Sequence, residues 1–132
     1  MKAFVAVAVF GLLAVAIAGP FTEDQMKKGQ EHAAKCMAEH KVTPEIVQKI
    51  KSGDFSAVDD NVECFTLCFQ QAAGFVDAQG NPNKDVIVQK LSTTKDKKEV
   101  EAVFEKCKDV QGSTPCKKAF NGFKCYRSAI VM

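Results

Sequence analysis

Residues 61–77 read NVECFTLCFQQAAGFVD, and this stretch predicts a long central helix. At about 100° per residue, its apolar side chains form two adjoining stripes that together cover roughly 160° of the helix circumference, far more than the single stripe of a surface helix. We therefore expect the rest of the chain to pack around it. One stripe contains Val62, Phe65, Phe69, Ala72 and Val76, and the other contains Cys64, Cys68 and Phe75.

Cysteines dominate the chemistry of this stretch. Cys64 and Cys68 are four residues apart and share one side of the predicted helix. A bond between them would strain a helical turn and close a trivial loop, so we expect each to bond a different neighbouring segment. The six cysteines of the chain predict three disulfides, which can pair in 15 ways. A chain of this size can usually form a stable core without disulfides, so three of them suggest a core weakened by a cavity. The six cysteines are Cys36, Cys64, Cys68, Cys107, Cys116 and Cys125.

The first 18 residues have the pattern of a secretory signal peptide. Lys2 is followed by residues 3–18 without a charge, and Ala16-Ile17-Ala18 forms a small-residue cleavage site. A retained membrane anchor is the alternative, but the run is short and rich in alanine. Residues 19–132 are then one secreted domain. Because Lys2 is the one charge removed, the net charge falls from +2 to +1, which favours neither nucleic acid nor anionic membrane as a partner.

Helix signals recur along the rest of the chain, and no stretch has a sustained alternating strand pattern, so the fold class is all-α. The capping box of Thr22 and Gln25 predicts a first helix to about Lys41. Prolines after Thr43 and Thr114 indicate first turns of two more helices. Together with the central helix, the pattern predicts about six short helices, which begin near Thr22, Thr43, Asn61, Asn83, Asp96 and Thr114.

No catalytic constellation stands out, and we expect no enzyme activity and no cofactor. His32, Cys36 and His40 lie on one face of the first helix and could bind a metal ion. Oxidation of Cys36 to a disulfide would remove its thiolate, so we expect no metal site. A secondary hypothesis is that the two histidines, with an ordinary pKa near 6.5, loosen the first helix on protonation and release a ligand.

The complete cysteine spacing is C-x27-C-x3-C-x38-C-x8-C-x8-C. It closely resembles the six-cysteine pattern of the insect odorant-binding proteins, over essentially all of residues 19–132. Shorter motifs are also similar to that family: GDF at 53–55, AGFVD at 73–77, CKKAF at 116–120 and KCY at 124–126. The resemblance implies six short helices around an apolar cavity in a secreted carrier of small hydrophobic molecules. It also implies disulfides Cys36–Cys68, Cys64–Cys116 and Cys107–Cys125.

We expect the ligand site of such a carrier to be mainly aromatic and aliphatic. Gln70 and Tyr126 are the expected polar contacts, and Gln70 stands where some family members place a ligand-binding hydroxyl. Ile130 and Val131 are the expected partial lid, since the seven residues after Cys125 are too few for an extra helix. The full predicted set is Phe69, Gln70, Phe75, Val76, Ile87, Leu91, Phe104, Phe120, Phe123, Tyr126, Ile130 and Val131.

A membrane chemoreceptor is a second expected partner, and we expect a monomer or weak homodimer without stable membrane insertion. Two alternatives belong to other functional classes. One is a saposin-like lipid-interacting protein, although the closely spaced cysteine pairs typical of both ends of such chains are absent here. The other is a secreted protein-binding module with an ordinary filled core.

Overall fold

Six α-helices make up residues 22–130, the part of the chain that the computed structural model describes. Within these residues the one β-type pairing is an isolated bridge between Val76 and Pro82, so the predicted all-α class is confirmed. The predicted signal peptide and Val131 lie outside the described residues. The helices are α1 (Glu23–His40), α2 (Pro44–Lys51), α3 (Asp60–Ala72), α4 (Lys84–Leu91), α5 (Lys97–Cys107) and α6 (Pro115–Ala129).

Each helix begins after a side chain that accepts a hydrogen bond from its first turn. At α1 the capping box is complete, because Gln25 N–H donates to Thr22 Oγ1 at 3.2 Å and Thr22 N–H donates to Gln25 Oε1 at 3.0 Å. These bonds satisfy backbone donors that have no partner inside the helix, so short polar residues mark the boundaries. The N-cap residues are Thr22, Thr43, Asp59, Asn83, Asp96 and Thr114.

The central helix α3 is shorter than predicted. It ends at Ala72, because Gly74 adopts a left-handed conformation (φ 83°) that reverses the chain. Gly74 N–H donates to Gln71 O at 3.1 Å, and Phe75 N–H donates to Gln70 O at 2.9 Å. These two hydrogen bonds form the Schellman motif that ends many helices at a glycine. The prediction that Phe75 and Val76 lie on the central helix was therefore wrong. Both belong to the loop between α3 and α4.

Three disulfides tie the helices together and use the same cysteine pairs as the family resemblance implies. Cys36–Cys68 joins α1 to α3, Cys64–Cys116 joins α3 to α6, and Cys107–Cys125 joins α5 to α6. The two cysteines of α3 thus bond different neighbours, and α6 is held from two sides.

The buried apolar side chains form two separate clusters. α3 packs against α1 and α6, while α5 packs against α4 and α6. We call the cluster around α1, α2 and α3 the N-terminal core; its buried members are Cys36, Val42, Val47, Ile50, Val62 and Phe65. We call the cluster around α4, α5 and the end of α6 the C-terminal core; its buried members are Ile87, Val88, Leu91, Val100, Val103, Phe104, Cys107 and Ile130.

Candidate ligand-binding site

The predicted ligand-binding residues that the structure describes form a buried group and a half-buried group. Ile87, Leu91, Phe104 and Ile130 are fully buried members of the C-terminal core. Phe120 is also buried, but outside both cores. These five side chains have little surface exposed to solvent. The half-buried members of the set are Phe69, Gln70, Phe75, Val76, Phe123 and Tyr126.

Phe123 and Phe120 pack on the side of the N-terminal core. Both rings meet Phe55 edge to face, with centroid distances of 6.4 Å and 5.5 Å respectively. Phe55 itself packs against the N-terminal core. The sequence prediction did not include Phe55, although its position next to a glycine turn marked it as an aromatic anchored outside a helix.

Phe69 lies between α3 and α1. Its ring centroid is 6.5 Å from that of His32, with the planes nearly perpendicular, and 6.5 Å from that of Phe65 in the N-terminal core. A Cβ atom at Gly29 would stand 3.7 Å from the ring. Phe69 is therefore an aromatic side chain of the N-terminal side that stays partly open.

Gln70 has a structural partner. Its side-chain Nε2 donates to the carbonyl of Ala119 at 2.9 Å, which links α3 to α6. Its backbone carbonyl accepts the bond from Phe75 that ends α3. One amide hydrogen of the predicted polar contact is thus used to position two helices.

Phe75 packs against the C-terminal core from the loop after α3. Lys90 holds this loop, since its Nζ lies 5.4 Å from the Phe75 ring centroid and donates to the Ala73 carbonyl. The Lys90 carbonyl in turn accepts a bond from Gln25 Nε2 at 3.2 Å. The start of α1, the end of α4 and the loop are thereby joined. Neither Gln25 nor Lys90 was predicted at the site, because these contacts connect residues distant in sequence.

Tyr126 has a buried hydroxyl in apolar surroundings. Its ring packs against the C-terminal core, and its hydroxyl oxygen is enclosed although the residue as a whole is half-buried. Within residues 22–130 this hydroxyl is the one buried side-chain nitrogen or oxygen that has no hydrogen-bond partner. Burial raises the pKa of the phenol to about 12, so the hydroxyl stays neutral. Leaving such a group unpaired costs about 1–3 kcal/mol.

Two depressions lie beside α4, with volumes of about 400 and 460 Å³. Val76 is the one predicted site residue that lines either of them. Most of their other lining residues are charged or polar, and both spaces are open to solvent. Neither depression has the apolar lining expected of a hydrophobic ligand site.

The predicted histidine–cysteine row does not form a metal site. Cys36 and Cys68 are disulfide-bonded, and His32 packs on Phe69. The one group of potential ligands found among residues 22–130 is Glu39, His40 and Cys68, with ligand atoms within 4.8 Å of one another. The oxidised sulfur of Cys68 offers no thiolate, and two remaining ligands are too few for a specific site.

The family model described as the PBP/GOBP family matches residues 18–129. Among curated proteins, the chain is similar to general odorant-binding protein 56a of Drosophila melanogaster, with 28% identity over 92% of this chain and 86% of the relative. It is also similar to odorant-binding protein 10 of Aedes aegypti, with 24% identity over 83% of this chain and 80% of the relative.

Solved structures share the fold. The fatty acid binding protein OBP56a from the oral disk of the blowfly Phormia regina has 29% identity and a TM-score of 0.70, over 83% of this chain and 94% of that protein. Odorant binding protein 5 of Apis mellifera has 23% identity and a TM-score of 0.68, over 83% of this chain and 92% of that protein.

Proposed function

This chain belongs to the PBP/GOBP family, and on that premise we propose that it is a carrier that binds a small hydrophobic ligand non-covalently. The affinity comes from burial of the ligand's apolar surface, at roughly 25 cal/mol per Å². About 300 Å² of buried ligand surface contributes about 7.5 kcal/mol before the entropic cost of association. Nothing in the function requires a metal, a cofactor or a catalytic group.

The observation that carries this proposal is the division of the apolar interior into two cores with half-buried aromatic rings at both. Phe69 contacts Phe65, and Phe123 contacts Phe55, on the side of the N-terminal core. Phe75 and Tyr126 pack against the C-terminal core. Large apolar side chains that stay half-buried at the edge of a packed core retain surface that a ligand can cover. We place the ligand along α3 and α6, in contact with these four rings.

The ligand class follows from the same residues and from one relative. The side chains named for the site are aromatic or aliphatic apart from Gln70 and Tyr126, so the bulk of the ligand is apolar. The blowfly relative is a fatty acid binding protein, which supports a ligand with an alkyl chain.

We place the carrier outside the cell. Residues 1–18 have the signal-peptide pattern, and three disulfides persist in an oxidising compartment. None of the helices in residues 22–130 has the length and apolar character needed to cross a bilayer. Delivery of the ligand to a membrane chemoreceptor, by a monomer or weak homodimer, completes this proposal.

Displacement of the fluorescent probe N-phenyl-1-naphthylamine from delipidated, oxidised protein tests the carrier function. We expect saturable 1:1 binding of the probe and its displacement by compounds with alkyl chains. Phe69→Ala and Phe75→Ala should each weaken probe binding, whereas Val47→Ala, in the N-terminal core, should change stability and leave probe affinity unaltered. Absence of saturable binding by folded protein would contradict the proposal and favour the protein-binding module. Co-sedimentation with liposomes would favour the saposin-like alternative.

A further inference from the structure

We infer that the ligand carries a neutral oxygen group that hydrogen-bonds the Tyr126 hydroxyl, so that the site prefers esters, ketones, aldehydes and alcohols to carboxylates of equal chain length. This inference rests on the proposed carrier function and specifies the chemistry of the same site. It assigns Tyr126 as the residue that selects the polar end of the ligand.

The enclosed hydroxyl is the starting point. Buried polar groups in proteins almost always have a hydrogen-bond partner, and the Tyr126 hydroxyl has none among residues 22–130. A phenylalanine would pack against the C-terminal core equally well without this cost. A molecule that enters from outside can supply this partner. A ligand oxygen placed here removes a penalty that the ligand-free protein carries.

The hydroxyl can bond neutral oxygen groups of two kinds. Because burial raises its pKa to about 12, the phenol keeps its proton at physiological pH and donates to a carbonyl oxygen. It can also accept a hydrogen bond from an alcohol. Both bonds are available without a change in the charge of the protein.

The surroundings of Tyr126 disfavour an ionised carboxylate. Every buried member of the C-terminal core is apolar. Among the described residues, two lysines lie over aromatic rings of this core, and both have other partners. Lys84 lies 5.7 Å from the Phe104 ring centroid and 3.8 Å from Glu105, and Lys90 lies over Phe75 and bonds the Ala73 carbonyl. A carboxylate at Tyr126 would lose its hydration for a single neutral donor, which costs more than the bond returns.

The chain offers a direct spectroscopic test, because it contains one tyrosine and no tryptophan. The near-ultraviolet absorption of tyrosine therefore reports Tyr126 alone. We expect methyl decanoate to shift this absorption to longer wavelength, as donation by a phenol does, whereas decane occupies the site without that shift. An equal shift with both compounds, or none with either bound, would overturn the inference.

Affinity measurements with matched ligands provide the second test. At pH 8 in wild-type protein, methyl decanoate and decanol should displace N-phenyl-1-naphthylamine at lower concentrations than decanoate does. Tyr126→Phe should weaken the ester and the alcohol about fivefold to tenfold and leave decane unchanged, since it removes one neutral hydrogen bond. Phe75→Leu is the control, because it alters the same core without a hydroxyl and should affect all ligands alike.

The outcomes separate this inference from the function on which it rests. Wild-type protein that binds none of the compounds would refute the carrier function itself. Wild-type protein that binds decanoate at least as tightly as the ester, or a Tyr126→Phe variant that weakens decane as much as the ester, would overturn the inference alone. The absorption shift requires no variant, so it remains decisive if Tyr126→Phe folds poorly.

Discussion

The two cores of this molecule differ in how completely their polar neighbours are satisfied. On α3, the buried Thr66 hydroxyl donates to the Glu63 carbonyl at 2.6 Å, and the Glu63 carboxylate, in a residue only 9% exposed, accepts from Lys117 at 3.0 Å. At the C-terminal core, the Tyr126 hydroxyl is enclosed and has no hydrogen-bond partner within residues 22–130. The comparison indicates that the buried polar groups near the N-terminal core are already paired, whereas the C-terminal core keeps a hydroxyl that a ligand can pair.

Each core also has its own disulfide, and a third one joins the helices that run between them. Cys36–Cys68 lies at the N-terminal core and Cys107–Cys125 at the C-terminal core. Cys64–Cys116 closes the longest loop, with a sequence separation of 52. This third bond keeps α3 and α6, the helices of the proposed site, at a constant distance.

Removal of that joining disulfide should have the largest effect. We expect Cys64→Ala with Cys116→Ala to lower the free energy of unfolding by about 4 kcal/mol, because the unfolded chain gains the entropy of a long loop. Denaturation in urea, followed by circular dichroism, measures the change. The matched pair Cys107→Ala with Cys125→Ala, with a separation of 18, should cost about 3 kcal/mol. A larger loss for the shorter loop would contradict this order.

Substitution of two equally buried valines, one in each core, compares the stability and ligand dependence of the two cores. Val62 in the N-terminal core and Val100 in the C-terminal core are each 1% exposed. We expect Val62→Ala and Val100→Ala to cost about 2 kcal/mol each, since each removes two buried methyl groups and leaves a cavity. Probe titration should then show the larger change in ligand affinity for Val100→Ala, because Val100 belongs to the core against which Tyr126 packs. Equal changes in affinity would mean that the ligand depends on the two cores to the same extent.

Tyr126→Phe should make the ligand-free protein more stable by about 1 kcal/mol, because it removes an unpaired buried hydroxyl and keeps the ring. Thermal unfolding of delipidated protein measures this difference. With saturating methyl decanoate the gain should disappear, because the wild-type hydroxyl is then paired. A loss of stability in the ligand-free variant would indicate that the hydroxyl already has a partner in solution.

Alkaline pH provides a smaller and independent test. The phenol of Tyr126 has an ordinary pKa near 10 in the unfolded chain and about 12 in the folded protein. Between these values the unfolded state loses the proton first, so this residue's contribution to stability is complete below pH 10 and falls as the pH rises to 12. Wild-type protein should lose more stability over that range than Tyr126→Phe does. Equal losses in both proteins would place the phenol in solvent.

Local signals in the sequence predicted most of the fold. The residues Thr22, Thr43, Asn83 and Thr114 predicted where helices begin, because the partners of these N-caps lie within a few positions along the chain. Gly74 was a similar local signal for the end of α3. The apolar periodicity of residues 61–77 continues past this glycine, so it predicted a helix that is too long. Boundaries were therefore predictable wherever a short-range signal was given precedence over periodicity.

The all-α class, the cysteine spacing and the resemblance to a carrier family can be read from the amino-acid sequence alone, because periodicity, capping and spacing are properties of residues near one another in the chain. The folded structure was needed to show that Gln70 bonds Ala119, that Leu91 is buried in the C-terminal core and that the Tyr126 hydroxyl is enclosed without a partner among residues 22–130. Burial and pairing depend on which distant segments meet, and an apolar residue has the same appearance in a sequence whether it fills a core or faces a ligand.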